Sequence, residues 1–312
     1  MKRSYNSQKN WKDIQGFLPE ELHFRNDYSP EEDYWEWRGH TVHLDRFRNP
    51  EATHKIIQLH GVGTNGRMMS SIVGGPLFKR GYETVAIDLL NYGETDVKPG
   101  HKVDYFDWVN QVVDFIKFER TRDSRPIILY GLSAGGMLAY QTACIDKQVV
   151  GIVAMCFMDM RMPSTARSVV RWKWLGGIGV PMIRALASIV GGLKLPMSLA
   201  SKMSALVNDK EALKACLADK TSAGNWVSLN FMSSIMSIQP AVELENFDVC
   251  PILLTQPEKD TWTPLDVSTP VLDRINQVPT EVVMLDNAGH YPLEQPGLQQ
   301  MEDAIVKFIE NL

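Results

Sequence analysis

Cysteine is scarce in this chain. The four present (Cys144, Cys156, Cys216 and Cys250) are scattered with no C-x-x-C spacing, which argues against both a disulfide framework and a zinc-ligand pattern. They read as buried free thiols in a reducing compartment. There is no excess of basic charge: 32 Lys and Arg stand against 37 Asp and Glu, a net charge of −5, so the basic stripe that nucleic acid demands is missing. Met1 to Asp13 is polar and charged with no apolar centre, so no secretory leader is read and a cytoplasmic location is expected. Uninterrupted apolar runs are missing too. The most apolar stretch, Gly176 to Met197, is broken by Pro181, Arg184, Gly191-Gly192 and Lys194 before the roughly 20 residues of a membrane span accumulate. It reads as a buried helical hairpin, with an interfacial helix in transient contact with lipid as the alternative. What remains is 312 residues that are 44% hydrophobic, enough to bury a substantial core in one large domain, with or without an insertion.

The pattern along the chain is mostly that of alternating strands and helices. Residues 1–33 form a polar lead-in. Tyr34-Trp35-Glu36-Trp37-Arg38 and Thr41-Val42-His43-Leu44-Asp45 flank Gly39-His40 and predict an antiparallel hairpin. Apolar strands follow near 54–59, 83–88, 126–131 and 148–155, apolar on both faces as parallel strands covered by helices require. Between them, Trp108, Val112, Phe115, Ile116 and Glu119 lie at helical spacing within Phe106 to Arg120. From 158 to 243 the strand rhythm stops; eight of the fifteen methionines fall there, with Trp172, Trp174 and Trp226, and several short helices are expected. The rhythm resumes at residue 251 and closes in a helix, Gln299 to Leu312, with Met301, Ile305, Phe308 and Ile309 on one face.

The segment richest in chemistry is Gly131-Leu132-Ser133-Ala134-Gly135, which follows the apolar run Ile127-Ile128-Leu129-Tyr130. A strand that delivers a serine between two glycines predicts a very tight turn into a helix, with the hydroxyl exposed at the sheet end. Such a hydroxyl needs a base, and the base needs an orienting acid. His290, in the turn after the strand Glu281 to Leu285, is the candidate base. Asp260, past the strand Pro251 to Thr255, is the candidate acid, with Glu258 and Asp266 close enough to compete. His60-Gly61-Val62-Gly63-Thr64-Asn65-Gly66, after the strand at 54–59, offers backbone N–H groups; Val62 and Ala134 are the expected donors to an oxyanion.

These residues, in this order, resemble the α/β-hydrolase superfamily, and within it the monoacylglycerol lipase and lysophospholipase-like branch. The likeness rests on His60-Gly61, on Ala86-Ile87-Asp88 with Asn91-Tyr92-Gly93, on the Ser133 turn, on Asp260 with Pro264, and on Ala288-Gly289-His290. Two departures stand out: Leu132 occupies a position where the family often has histidine, and Asn91-Tyr92-Gly93 is an unusual form of its loop. The resemblance implies a mostly parallel sheet with helices on both faces and a core of residues 34–157 and 244–312. It further implies that 158–243 is a helical cap over the site, whose methionines would suit an irregular acyl-binding surface or simply fill the cap's own core. It also implies a serine esterase acting on a small acyl ester such as a monoacylglycerol or lysophospholipid, with no metal or organic cofactor. A thioesterase, an aminoacyl amide hydrolase and an acyltransferase use the same machinery and stay open, as does a non-catalytic ligand-binding homologue. Dehalogenase chemistry is disfavoured, since it needs a carboxylate where Ser133 stands.

Each residue also has a plainer reading. Ser133 could be an ordinary helix N-cap, and His290 a satisfied structural histidine. His60 reads as shaping its turn, Asp88 as holding loops through hydrogen bonds, and Asp286 as a solvated or capping acid. His40, His43, His54 and His101 read as surface residues.

Overall fold

The structure, a computed structural model, describes residues 3–162, 165 and 175–312, and the side chains of all of these except 175–181. Its strands are β1 (Glu31–Trp37), β2 (His40–Phe47), β3 (Lys55–Leu59), β4 (Glu83–Ile87), β5 (Ile127–Gly131), β6 (Gly151–Ala154), β7 (Lys194–Pro196), β8 (Trp226–Ser228), β9 (Ile252–Pro257) and β10 (Thr280–Leu285). Eight of them form one sheet in the order β1-β2-β4-β3-β5-β6-β9-β10. β1 pairs antiparallel with β2 and β2 with β4, while every other pairing is parallel. Every residue of β3, β4 and β5 is buried, which is why their sequences are apolar on both faces.

The strand order decides where a site forms. β4 lies on one side of β3 and β5 on the other, so the loops leaving β3 and β5 part in opposite directions. A crevice opens at the carboxyl ends of strands wherever this happens. Leu59 is in register with Gly131, so the glycine turn after β3 and the serine turn after β5 begin side by side.

The helix Tyr105–Arg120 starts at a capping box, in which Asp104 and Asp107 each accept the other's backbone N–H at 3.0 Å. Its stripe of Trp108, Val112, Phe115, Ile116 and Glu119 is buried as the spacing requires. The closing helix, Gly297–Glu310, buries Met301, Ile305, Phe308 and Ile309.

Three expectations need correction. The first 33 residues are not a mere polar lead-in: Tyr5, Trp11, Ile14, Leu18 and Leu22 are buried in the core, on and around a short helix, Lys9–Gln15. Their three- and four-residue spacing is helical, but intervening charges dilute it in any average over the segment. His40 and His43 are buried rather than on the surface, because β2 is an interior strand flanked by β1 and β4; His54 is half-buried and His101 exposed. Finally, Gly176 to Met197 is not a buried hairpin. It holds the helix Leu175–Val190, then a turn into β7, which pairs with β8. Met182, Leu186, Ile189, Val190 and Leu193 are exposed along it, Ile189 at 81%.

The chain between β6 and β9 adds no strand to the large sheet among the described residues. Trp172 and Trp174 lie outside the described residues. Among those described, no helix is long and apolar enough to cross a membrane.

Candidate active site

Ser133 follows β5 at φ 56°, ψ −119°, a left-handed conformation that costs a non-glycine residue about 1–3 kcal/mol. The turn is possible because its neighbours lack side chains. A Cβ on Gly131 would lie 2.1 Å from the Gly135 carbonyl oxygen, and one on Gly135 would lie 2.2 Å from that of Leu59. Ser133 makes no side-chain cap to the helix Ala134–Asp146, so the plainer role of N-cap does not hold. Ala134 is the first residue of that helix, where N–H groups have no partner within the helix.

The loops after β9 and β10 bring Asp260 and His290 together. Asp260 Oδ1 accepts the backbone N–H groups of Trp262 and Thr263, each at 2.8 Å, which locks the carboxylate in a tight turn. Its Oδ2 lies 2.7 Å from His290 Nδ1. Burial pushes the Asp260 carboxyl up, but the charge and hydrogen bond of His290 outweigh it and bring the value down to about 2. Of the three acids, the one that meets His290 is Asp260; Glu258 and Asp266 are exposed, and Glu258 accepts the Asn287 N–H instead. With Nδ1 held by Asp260, the other ring nitrogen, Nε2, is buried and makes no hydrogen bond. Ser133 and His290 are therefore not hydrogen-bonded to each other in this structure.

Two residues here escaped the sequence reading. Thr263 Oγ1 sits 2.8 Å from Asp260 Oδ2 and 3.1 Å from His290 Nδ1, bridging the pair. The Trp262 ring lies 4.7 Å from the imidazole, centroid to centroid, and covers it. The signal was present in Asp260-Thr261-Trp262-Thr263, a compact turn sequence with a hydroxyl three residues after the acid.

The turn after β3 packs directly on the serine. A Cβ on Gly61 would lie 2.8 Å from Ser133 Cβ and 2.7 Å from the Leu132 carbonyl oxygen, so only glycine fits there. Thr64 pins the turn, accepting the Gly61 N–H at 3.1 Å. His60 is fully buried and shapes the turn as expected. Its Nδ1 lies 2.8 Å from the Gly61 carbonyl oxygen, and its Nε2 accepts the Leu89 N–H at 3.0 Å, which places the proton on Nδ1. Burial lowers its value to about 4, so the ring is neutral at neutral pH.

Asp88 holds loops together, also as expected: it accepts the N–H of Gly66 at 2.7 Å and of Glu94 at 2.9 Å. Asp286 is exposed and accepts Gln300 Nε2 at 2.9 Å, the solvated role read from sequence.

Ser133, Ala134 and Val62 line one open pocket, whose roughly 810 Å³ of empty space includes open solvent. Trp262, Met137 and Tyr105 complete the side formed by the rest of the chain, and the segment between β6 and β9 supplies the remainder, including Phe231 and five of its methionines. No charged side chain lines it among the described residues. The segment 202–208 also touches the loops that carry the site: Lys202 Nζ donates to the Thr261 carbonyl oxygen, and the Tyr291 N–H donates to that of Leu206 at 2.8 Å.

Among the described residues, Glu32, His43 and Asp45 bring metal-ligand atoms within 4.8 Å of one another. A cation already serves them: the Arg67 guanidinium lies 2.5 Å from Asp45 and 2.9 Å from Glu32. This donor set therefore does not fit a resident metal.

The sequence profile of the alpha/beta hydrolase family matches residues 59–299. The quorum-quenching protein AidA of Acinetobacter baumannii is 22% identical over 262 residues, covering 81% of this chain and 84% of that protein. Among solved structures, a soluble variant of monoglyceride lipase from Saccharomyces cerevisiae, bound to a substrate analogue, superposes with a TM-score of 0.72 at 16% identity, covering 93% of this chain and 97% of that one. A monoacylglycerol lipase from Paleococcus ferrophilus superposes with a TM-score of 0.64 at 19% identity, covering 86% of this chain and 98% of the other.

Proposed function

From the premise that this chain belongs to the alpha/beta hydrolase family, we propose that it is a serine hydrolase that cleaves neutral, single-chain carboxylic esters through an acyl-enzyme. His290 Nε2 takes the proton of Ser133 Oγ as the oxygen attacks the acyl carbon. Asp260 keeps Nδ1 protonated and stabilises the imidazolium that results. The backbone N–H groups of Val62 and Ala134 receive the negative oxygen of the tetrahedral intermediate. When the carbon–oxygen bond to the alcohol breaks, His290 returns its proton to the leaving oxygen. Water, deprotonated by the same nitrogen, then attacks the acyl-serine; as the carbon–Oγ bond breaks, His290 returns the proton to Ser133 Oγ and the carboxylic acid is released. Nothing in this sequence of steps calls for a metal or organic cofactor.

One observation carries the reading: the Asp260–His290 pair leaves Nε2 as a buried nitrogen with no hydrogen-bond partner among the described residues, behind a tryptophan that lines the same cavity as Ser133. A buried polar atom without a partner is costly unless a ligand or reacting group completes it. A serine–histidine contact that tightens only once substrate binds is common in unliganded hydrolytic sites.

The substrate class follows from the lining. A cavity that is apolar and, among the described residues, without a charged side chain suits an acyl chain and a neutral head group, and penalises a phosphate that would be desolvated without a cation. This favours monoacylglycerol over lysophospholipid. In this reading residues 158–243 are the cap, and the exposed Leu186, Ile189, Val190, Leu193 and Trp226 bring it into transient contact with a lipid surface.

The test is hydrolysis of p-nitrophenyl esters of graded chain length, followed by monoacylglycerol and lysophospholipid, with Ser133→Ala and His290→Ala alongside. Turnover of the neutral esters that both substitutions abolish is expected. Equal activity in the Ser133→Ala variant sinks the assignment.

A further inference from the structure

We infer that Tyr5, in the amino-terminal segment far from Ser133 in sequence, is a positioning residue for the turn that carries Val62; this rests on the serine-hydrolase reading above. The turn spans residues 60–66, and the two residues that follow β4 tie down both of its ends. Leu89 N–H donates to His60 Nε2 at 3.0 Å, fixing the start. Asp88 Oδ1 accepts the Gly66 N–H at 2.7 Å, fixing the finish, where the short helix Gly66–Met69 begins. The Val62 N–H can point into the cavity reliably only if the Asp88 carboxylate keeps its orientation.

Tyr5 sets that orientation. Its hydroxyl lies 3.0 Å from each Asp88 oxygen and so straddles the carboxylate. Oδ2 also accepts the Glu94 N–H at 2.9 Å and lies 2.8 Å from His43 Nδ1, an ion pair whose ring is not lined up for a hydrogen bond. The phenol is itself held on two sides. The His43 ring meets it edge-on at 5.1 Å, and the Arg67 guanidinium sits 4.7 Å from its centroid. Arg67 belongs to the same short helix that ends the turn. Tyr5 is completely buried, and burial together with the neighbouring Asp88 charge pushes its hydroxyl well above the usual tyrosine range, so it remains a donor at any working pH. A neighbouring contact strengthens the tie, since Gln8 Nε2 donates to Glu94 just beyond the loop.

The test compares Tyr5→Phe with Ile14→Ala in the full-length protein. Tyr5→Phe keeps the ring, and with it the contacts to His43 and Arg67, while deleting the oxygen. Ile14→Ala opens a cavity in the same segment at a buried side chain that takes no part in the hydrogen bonds of Asp88. The readouts are the rate and final stoichiometry of labelling by a fluorophosphonate, kcat and KM on a p-nitrophenyl ester, and thermal midpoint. For Tyr5→Phe we expect labelling to reach full stoichiometry but about tenfold more slowly, with kcat lowered alike and KM unchanged, as small displacements of a catalytic group produce. For Ile14→Ala we expect a lower midpoint with wild-type labelling rate. Tyr5→Phe labelling at the wild-type rate overturns the inference, as does an equal slowing in both variants. Wild-type protein that resists the probe altogether overturns the serine-hydrolase reading and, with it, this one.

Discussion

Ser133 carries its strain at φ 56° because the turn between Gly131 and Gly135 allows no other path from strand to helix. Glycine adopts that conformation freely, whereas alanine inherits the strain. Both Ser133→Gly and Ser133→Ala should abolish turnover, and the glycine variant should be the more stable of the two by about 1 kcal/mol, read as a higher thermal midpoint. A lower midpoint for the glycine variant would show that the turn is not strained. Gly61 offers a second test at this scale. A methyl group there runs into Ser133 Cβ and the Leu132 carbonyl, so Gly61→Ala should displace the turn bearing Val62. We expect kcat/KM to fall about 100-fold with the protein still folded by circular dichroism. At this scale the sequence was legible where local chemistry alone forces a role. Gly-x-Ser-x-Gly after a strand needs nothing distant to be read. Asp260 was harder, because Glu258 and Asp266 lie within one turn of chain and only the folded loop decides which carboxylate meets His290.

Elements that depend on distant partners were read less well. The strands of the large sheet and the helices Tyr105–Arg120 and Gly297–Glu310 emerged within a few residues of their observed bounds, since period and composition are properties of the segment itself, whereas β7 and β8 lie where only short helices were expected. The amino-terminal segment did not. Its five buried side chains depend on partners far along the chain, such as the helix Lys210–Ala218 against Lys9–Gln15 and His43 and Asp88 around Tyr5, and no local average records that. His43 failed for the same reason. Burial alone lowers it, but the carboxylates of Asp88 and Glu32 outweigh burial and raise it to about 10.

This raised value has a consequence for the element's stability. A histidine whose folded value exceeds its unfolded value of roughly 6.5 stabilises the fold fully below that pH, and the contribution disappears as pH rises through about 10. The difference in thermal midpoint between wild type and His43→Gln should therefore be largest near pH 6 and shrink steadily toward pH 10. A difference that grows with pH would mean that His43 is neutral in the fold.

At the scale of the whole molecule, the sheet order places two loops at one crevice, and the segment between β6 and β9 contributes to its lining side chains that are, among the described residues, uncharged and mostly apolar. The outer face of that segment was misjudged because apolar content cannot distinguish a buried helix from one whose apolar side chains face out. Leu186 and Ile189 lie exposed on the helix Leu175–Val190. Replacing both with serine should weaken sedimentation with phosphatidylcholine vesicles while leaving hydrolysis of a water-soluble short-chain ester at its wild-type rate. Undiminished vesicle binding would place lipid contact elsewhere or nowhere.

Everything proposed for the chemistry converges on one covalent event, the acylation of a single oxygen. Incubation with a fluorophosphonate, followed by intact mass and peptide mapping, reads that event without any assumption about the natural substrate. One adduct per chain is expected, on the peptide that contains Ser133, and none in Ser133→Ala or His290→Ala. An adduct mapped to another residue, or persistent labelling of the Ser133→Ala protein, would contradict the assignment of this site.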